Sequence, residues 1–206
     1  HSSTMTNMET ILKRCGETVD ELAKKEIPAM CWKHCKGVAI VNITDVGFVF
    51  SVGDGDGVVM KKNEDGTFGP PSALQFTGVG VGANFGKADK QVIFFPMTEY
   101  GLSMFTADTK YDLGGEAGLA LGKLGRQLDI GLGAGGHGVE AGIVYVFSQG
   151  VMLNAGFTNC FLCSEPDMNY RFYGRKISAK DVVTKEGSVE VPKGKGVEDL
   201  HAKLAE

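Results

Sequence analysis

Glycine recurs at alternate positions in several apolar, β-rich runs between residues 27 and 180. The clearest runs are residues 77–86 (TGVGVGANFG) and 130–136 (IGLGAGG), with 113–122 (LGGEAGLALG) between them. Successive side chains of a strand point to opposite faces, so glycine at positions 78, 80 and 82 leaves one face bare. A bare face implies that another backbone packs close to it or that the sheet bends sharply. The pattern therefore predicts a tightly curved antiparallel sheet and not a catalytic loop.

The overall composition is typical of a folded domain. The chain has 206 residues, 30 of them glycine, and 43% of its residues are hydrophobic. Average glycine usage is roughly 7%, so glycine is about twice as frequent here. We predict one α+β domain in which a strongly bent, glycine-rich antiparallel sheet or partial barrel spans about residues 38–161. Helices at 8–25 and 28–36 are expected to cover part of this sheet, with short C-terminal helices outside it.

The two ends of the chain are assigned to the same compact unit. Residues 1–26 are interpreted as the remnant of an expression tag followed by an amphipathic helix, and residues 27–184 as the main domain. Residues 185–206 are expected to form an extension with a short strand near 188–191 and a terminal helix. No signal-peptide h-region occurs, and no apolar stretch approaches the ~20 residues of a membrane span.

Short strands are predicted where apolar runs are interrupted by glycine or polar residues. Residues 38–43 and 47–50 are read as two separate strands. Residues 142–147 and 151–157 are read as a hairpin that turns at 148–150. We predict these interruptions of the strands because glycine and serine commonly mark turns and loops.

A series of motifs in fixed order resembles a known family. In sequence they are Ile27-Pro28, then residues 35–40 (CKGVAI), 47–51 (GFVFS), 53–59 (GDGDGVV), 65–73 (DGTFGPPSA), 113–115 (LGG), 124–126 (LGR) and 169–174 (NYRFYG). Together they resemble the SYLF domain, also called the Ysc84 or Las17-binding type, over roughly residues 27–184. The resemblance implies a non-enzymatic domain that binds phosphoinositide-containing membranes and, in some members, actin filaments.

Basic residues near the C-terminus are the candidate lipid contacts. Residues 168–180 contain no acidic residue and carry Arg171, Arg175, Lys176 and Lys180. The aromatic residues at 170, 172 and 173 are interleaved with them. Arginine forks suit phosphate groups, and aromatic rings are stable at the headgroup level of a membrane. We therefore expect this stretch to bind anionic phospholipid, with a solvated edge whose aromatics belong to the core as the alternative.

Basic residues near the N-terminus are candidate contacts with actin or a membrane, since the resemblance places an actin contact toward this part of the domain. These residues are Lys13, Arg14, Lys24, Lys25, Lys33 and Lys36. The predicted first helix also carries four acidic residues, so it is nearly neutral. A helix that lies on a membrane is normally basic on its polar face. Packing of this helix on its own sheet is therefore favoured, with adsorption to a membrane as the alternative.

Catalytic and metal sites are weakly supported. Cys31, His34 and Cys35 share one face of a predicted helix, and together with Cys160 and Cys163 they could supply ligands for zinc. However, Cys160 and Cys163 lie in an apparent strand, where a spacing of three residues places their side chains on opposite faces. Residues 54–57 fail the calcium-loop pattern and are read as a turn between strands. Residues 131–136 match G-x-G-x-x-G but lead into a strand instead of a helix. We expect no catalytic residue, metal or cofactor.

Charge and cysteine content suggest the compartment. Five cysteines, an odd number, favour free thiols in a reducing environment. The formal net charge of −4 provides no global attraction to nucleic acid or to an anionic membrane. We expect a cytoplasmic protein that associates peripherally with membranes through a local patch, with actin or actin regulators as further candidate partners and no nucleic acid.

Overall fold

The structure is a computed structural model, which describes residues 6–20, 27–106, 111–112, 126–128, 142–184, 189–194 and 196–205. The helices in these ranges are α1 (Met8–Thr18), α2 (Ala29–His34), α3 (Glu99–Met104), α4 (Pro166–Tyr173), α5 (Ala179–Thr184) and α6 (Val197–Ala205). The strands are β1 (Gly37–Lys61), β2 (Ser72–Pro96), β3 (Tyr111–Asp112), β4 (Arg126–Leu128) and β5 (Gly142–Ser164).

Three long antiparallel strands dominate the sheet. β2 lies between β1 and β5, and the short strands β3 and β4 both pair with β5. The β1–β2 register runs from Ala39↔Phe94 to Val59↔Ser72, with one irregularity between Phe48 and Phe50. The expected α+β class with a bent antiparallel sheet is confirmed.

The predicted breaks within the long strands are wrong. Residues 37–61 form one strand of 25 residues, and 142–164 form one strand of 23 residues. Residues 54–57, expected to be a turn, lie inside β1. Glycine and serine do not end these strands because each long strand is paired on β2 along almost its whole length.

β1 folds back on itself. A side-chain carbon added at Gly37 would lie 2.5 Å from the Met60 carbonyl oxygen, and one added at Gly55 would lie 2.6 Å from the Asn42 carbonyl oxygen. A carbon at Gly57 would overlap the Ile40 carbonyl oxygen. The two halves of β1 therefore run side by side in antiparallel order, with the bend at residues 48–49. We call residues 46–52, together with the parts of β2 and β5 paired to them, the apex of the sheet.

The concave face of the bent sheet holds one hydrophobic cluster. Its members on β1, β2 and β5 are Ala39, Val41, Ile43, Val59, Leu74, Phe76, Val92, Phe94 and Leu162. Leu102 and Phe105 at α3 and Val183 on α5 complete this cluster. Positions 53, 55 and 57 on the same face of β1 are glycine, so the opposite half of the strand can approach their backbone. Alternate glycines thus permit the close approach at positions that the sequence analysis read as a turn, whereas the expectation for glycines 78, 80 and 82 stays a prediction.

The convex face carries the second cluster and the remaining helices. α1 begins at the cap Asn7, whose side-chain oxygen accepts a hydrogen bond from the Thr10 N–H at 2.8 Å. Its residues Met8, Ile11, Leu12 and Cys15 are each no more than 2% exposed. The apolar stripe of α1 therefore packs on the sheet, as its periodicity predicts, although residues 21–25 of the expected helix lie outside the described ranges.

The C-terminal helix α6 packs in the same layer. Leu200 is fully buried in the cluster that contains Met8. Lys203 Nζ lies 2.8 Å from an Asp20 carboxylate oxygen. His201 Nε2 lies 3.0 Å from the Gly69 carbonyl oxygen, and burial lowers the pKa of His201. The short strand expected before α6 does not form within 189–194, where Pro192 lacks the N–H that a ladder requires.

Candidate binding surfaces

The helix α4 organises the C-terminal basic residues. Proline at its first position, Pro166, has the fixed φ that suits a helix start, and Gly174 ends the helix at a φ of 67°. One side of the helix is anchored by Asn169, which is fully buried. The Asn169 side-chain oxygen accepts a hydrogen bond from the Ala73 N–H, and its amide donates to Ser72 Oγ, each at 2.9 Å. These bonds fix α4 to the start of β2.

The three aromatic residues of this region have different environments. Phe172 is buried in the convex-face cluster. The Tyr173 hydroxyl donates a hydrogen bond to the Pro71 carbonyl oxygen at 2.6 Å, and burial raises the pKa of Tyr173. Tyr170 is 55% exposed. Of the three rings, those of 172 and 173 therefore pack against the protein, as in the alternative interpretation of this stretch, and Tyr170 is the exposed one.

The four candidate lipid-binding residues are exposed. Arg171 belongs to α4, Arg175 and Lys176 to the segment after it, and Lys180 to α5. Lys176 and Tyr170 line one shallow cleft of about 430 Å³, which Asp167 also lines. We call Tyr170, Arg171, Arg175, Lys176 and Lys180 the C-terminal basic surface. An acidic group at its margin moderates the positive potential there.

The N-terminal candidates do not form one surface. Arg14 binds both carboxylate oxygens of Asp56, at 2.5 and 2.6 Å, so it ties α1 to β1. Lys13 lies on an exposed side of α1, and its Nζ is 4.0 Å from Glu17 Oε1. Lys24 and Lys25 lie outside the described residues. Among the described members of this set, Lys33 and Lys36 lie close in sequence at the end of α2.

Lys33 and Lys36 are brought next to Lys62, which the sequence analysis did not select. The Lys62 N–H donates to the Lys36 carbonyl oxygen at 2.9 Å, and Lys62 Nζ donates to the Lys33 carbonyl oxygen at 3.1 Å. Lys61 precedes Lys62 at the end of β1, so its side chain points to the opposite face of the strand. We call Lys33, Lys36 and Lys62 the lysine surface. The sequence feature that could have identified Lys62 as a candidate is the pair of consecutive lysines at 61–62, just before the turn at 63–66.

We expected no metal site, and the candidate zinc ligands Cys31, His34 and Cys35 do not share one helix face. Cys31 and Cys35 are buried, whereas His34 is exposed. Cys31 Sγ lies 3.7 Å from the Tyr145 hydroxyl, and Cys35 Sγ donates to the Trp32 carbonyl oxygen at 3.4 Å. The expected common face fails because Cys35 follows the helix in an extended conformation. Among the described residues, no three histidine, cysteine or acidic side chains are grouped so that they could hold a metal ion.

The thiols of Cys15 and Cys35 are poor nucleophiles. Burial raises the pKa of Cys15 to about 12. Burial also raises the pKa of Cys35. Because the thiolate is the reactive form, both side chains act as small apolar groups near neutral pH. The glycine motif at 131–136 lies outside the described residues.

A protein-family model matches residues 77–206. Its description is Ysc84, Las17-binding protein actin regulator. This chain belongs to the Ysc84 family. The matched residues include most of β2, all of β5 and the C-terminal basic surface.

Curated relatives extend the similarity toward the N-terminus. The chain is 30% identical over 170 residues to Protein YSC84 of Saccharomyces cerevisiae, which covers 82% of this chain and 36% of the relative. It is 30% identical over 162 residues to LAS seventeen-binding protein 3 of the same species, covering 79% of this chain and 35% of that protein. The human SH3 domain-containing YSC84-like protein 1 is 27% identical over 177 residues, covering 86% of this chain and 50% of the relative.

The Ysc84-family chain therefore spans about a third to a half of the length of these relatives. No solved structure shows a significant match. Within the described ranges, every helix is too short or too polar to cross a membrane. The C-terminal basic surface and the lysine surface are two candidate binding surfaces of this Ysc84-family chain.

Proposed function

We propose that this chain is a non-enzymatic module that binds actin filaments. The family description as an actin regulator supports the class of partner. The name of the yeast relative LAS seventeen-binding protein 3 refers to binding of Las17, and an actin regulator is the alternative protein partner. The observation that carries the proposal is the lysine surface, because filaments are acidic and a concentrated positive patch attracts them.

The lysine surface has a fixed scaffold. Lys62 Nζ also donates to the Trp32 carbonyl oxygen at 2.5 Å, so this lysine holds α2 against the end of β1. The Trp32 ring packs edge-on against Phe95 with centroids 4.7 Å apart. Lys33 and Lys36 are exposed and project from this rigid corner. Their charges can engage a partner without disturbing these contacts.

Reversing the charges of Lys33 and Lys36 should weaken filament binding. We expect the K33E/K36E variant to bind at least about tenfold more weakly, which corresponds to about 1.4 kcal/mol. The measurement is co-sedimentation with purified actin filaments in lipid-free buffer at low salt. Lys62 is left unchanged because its side chain is part of the scaffold.

The matched control is R171E/K176E, which changes the net charge by the same amount on the C-terminal basic surface. This control should sediment with filaments like the unmodified chain. If both variants bind filaments equally weakly, the loss of binding is explained by the change in net charge, and the lysine surface is not the contact. If the unmodified chain does not sediment with filaments at micromolar filament concentration, the proposal of filament binding is wrong.

A second candidate function is reversible binding of anionic phospholipid, with phosphoinositide as the favoured headgroup. We infer it from the exposure of Arg171, Arg175, Lys176 and Lys180 near exposed Tyr170. Guanidinium and ammonium groups bind phosphate oxygens, and each contributes about 1 kcal/mol near an anionic surface. In this proposal the chain is a peripheral membrane protein of the cytoplasm.

Charge reversal on the C-terminal basic surface should selectively weaken this lipid binding. We expect R171E/K176E to lose about 2 kcal/mol, or roughly 30-fold, because two favourable contacts are lost. The measurement is sedimentation with phosphatidylcholine vesicles that contain a few per cent phosphoinositide, at two salt concentrations. Here K33E/K36E is the control. Unchanged binding of R171E/K176E would refute the assignment of these residues.

A further inference from the structure

The apex of the sheet presents a row of exposed apolar side chains. On β1 these are Val46, Phe48, Phe50 and Val52, which are 54%, 74%, 64% and 56% exposed. Val79 on β2, the partner of Val52, is 45% exposed. We call these five residues the apex patch.

The apex patch lies on the convex face of the bent sheet. Even-numbered residues of β1 point to this face, where Ile40 and Val58 are buried in the cluster under the helices. That cluster draws its β1 members from the two ends of the strand and none from residues 46–52. The bend at residues 48–49 therefore projects the patch away from the helical layer.

Lys87, the register partner of Val46, is the only charged residue that the sequence places at the apex of the three long strands. β1 is uncharged from residue 46 to 53, β2 from 77 to 86, and β5 throughout 142–164. The register brings these segments together through Phe50↔Val81 and Val81↔Phe157. Asp45, Asp54 and Lys87 are the first charged residues beyond these limits on β1 and β2.

The backbone at the apex limits insertion to a shallow depth. β2 runs through the bend paired on both sides, whereas β1, which carries four of the five patch residues, is the edge strand among the described strands. An unpaired backbone group is costly in hydrocarbon, so the outer N–H and C=O groups of β1 must stay at the headgroup level, where water reaches them. The side chains of the patch can then enter the apolar layer while this edge stays hydrated.

We propose that the apex patch inserts into the headgroup–acyl boundary of a lipid bilayer. Amphipathic elements at this boundary bury aromatic and aliphatic side chains by about 5–10 Å. The exposed area of the patch is on the order of 500 Å², since a whole aromatic side chain offers about 150–250 Å². A stable contact with a second copy would need about 800 Å² on each partner. Insertion into a bilayer requires no such minimum contact area, so a lipid bilayer is the partner that matches a patch of this size.

This site is separate from the C-terminal basic surface. α4 is fixed to the start of β2 at Ser72, nine residues before Val81. At about 3.3 Å per residue, the two positions are about 30 Å apart along the strand. Insertion of the apex patch therefore does not use anionic headgroups bound to α4, and it persists on a neutral membrane.

Flotation with vesicles of pure phosphatidylcholine tests the proposal. The F48S/F50S variant should bind these vesicles at least tenfold more weakly than the unmodified chain. Because both rings are exposed, the variant should keep its urea midpoint. The control M30S/Y100S removes two other large exposed apolar side chains, 65% and 49% exposed, and should bind normally. Equal binding of the two variants, or no binding of the unmodified chain, would overturn the proposal.

A second measurement reports insertion directly. Brominated phosphatidylcholine should quench the added tryptophan fluorescence of the F48W variant, whereas it should not quench that of the Y100W variant. Equal quenching of both would contradict insertion. If F48S/F50S instead abolishes self-association in sedimentation velocity, the apex patch is a contact between copies. Filament co-sedimentation is done without lipid, so failure of the apex proposal leaves the actin proposal independently testable.

Discussion

Replacing Gly57 with alanine should lower the free energy of unfolding by about 3 kcal/mol. The added carbon would overlap the Ile40 carbonyl oxygen, and it would lie 2.8 Å from Val41 Cα. Both neighbours are backbone atoms, so a rotamer change cannot relieve the clash. The first half of β1 would have to move away, which would loosen the packing of the concave-face cluster. Urea denaturation of the variant and the unmodified chain measures the loss.

The matched control is alanine at Gly69. There the added carbon would lie 3.6 Å from the Lys61 carbonyl oxygen, an ordinary contact distance. We expect G69A to change the free energy of unfolding by less than about 0.5 kcal/mol, as is usual away from tightly packed sites. Similar urea midpoints for G57A and G69A would show that the two halves of β1 do not lie in close backbone contact.

Replacing Asn169 with alanine should cost about 3 kcal/mol of folding free energy. Asn169 is fully buried and joins α4 to β2 through the Ala73 N–H and Ser72 Oγ. The substitution leaves the buried Ala73 N–H without its acceptor. An unsatisfied buried donor costs about 1–3 kcal/mol, and the small cavity left by the side chain adds to this loss.

The control for this prediction is alanine at Asn63. Its side-chain amide donates to Thr67 Oγ1 at 3.0 Å on an exposed turn, where water can replace the bond. We expect N63A to stay within about 0.5 kcal/mol of the unmodified chain. Thermal or urea unfolding of both variants compares a fully buried asparagine with a half-buried one at a turn. If N169A is as stable as N63A, α4 is not fixed to β2 by this side chain.

The local pattern of the sequence was sufficient for the helices whose caps and periodicity are clear. α1 begins where a capping asparagine precedes an apolar repeat, and α6 coincides with the expected terminal helix. These elements depend on neighbouring residues and on one buried face, both of which are visible in the sequence. α4 was missed, although Pro166 and Gly174 mark its ends.

The bent sheet was also predictable, but its strand boundaries were not. Alternate glycines indicate a bare face, and the close approach at Gly55 and Gly57 gives the reason. Whether a glycine ends a strand or lies within it depends on pairing with a distant segment. β2 pairs along β1 and β5 and keeps both strands continuous through positions where local propensity favours a break.

The sequence by itself determined the α+β class, the curvature of the sheet and, through its ordered motifs, the Ysc84 family. Only the tertiary structure decided which functional candidates share a surface. In the tertiary structure Arg14 forms an ion pair with Asp56, and the Tyr173 hydroxyl donates a hydrogen bond to the Pro71 carbonyl oxygen. Lys62 Nζ donates to the Lys33 carbonyl oxygen, and three uncharged strand segments lie side by side at the apex. The reason is physical: composition supplies charged and apolar groups, but their exposure and neighbours depend on contacts between residues far apart in the chain.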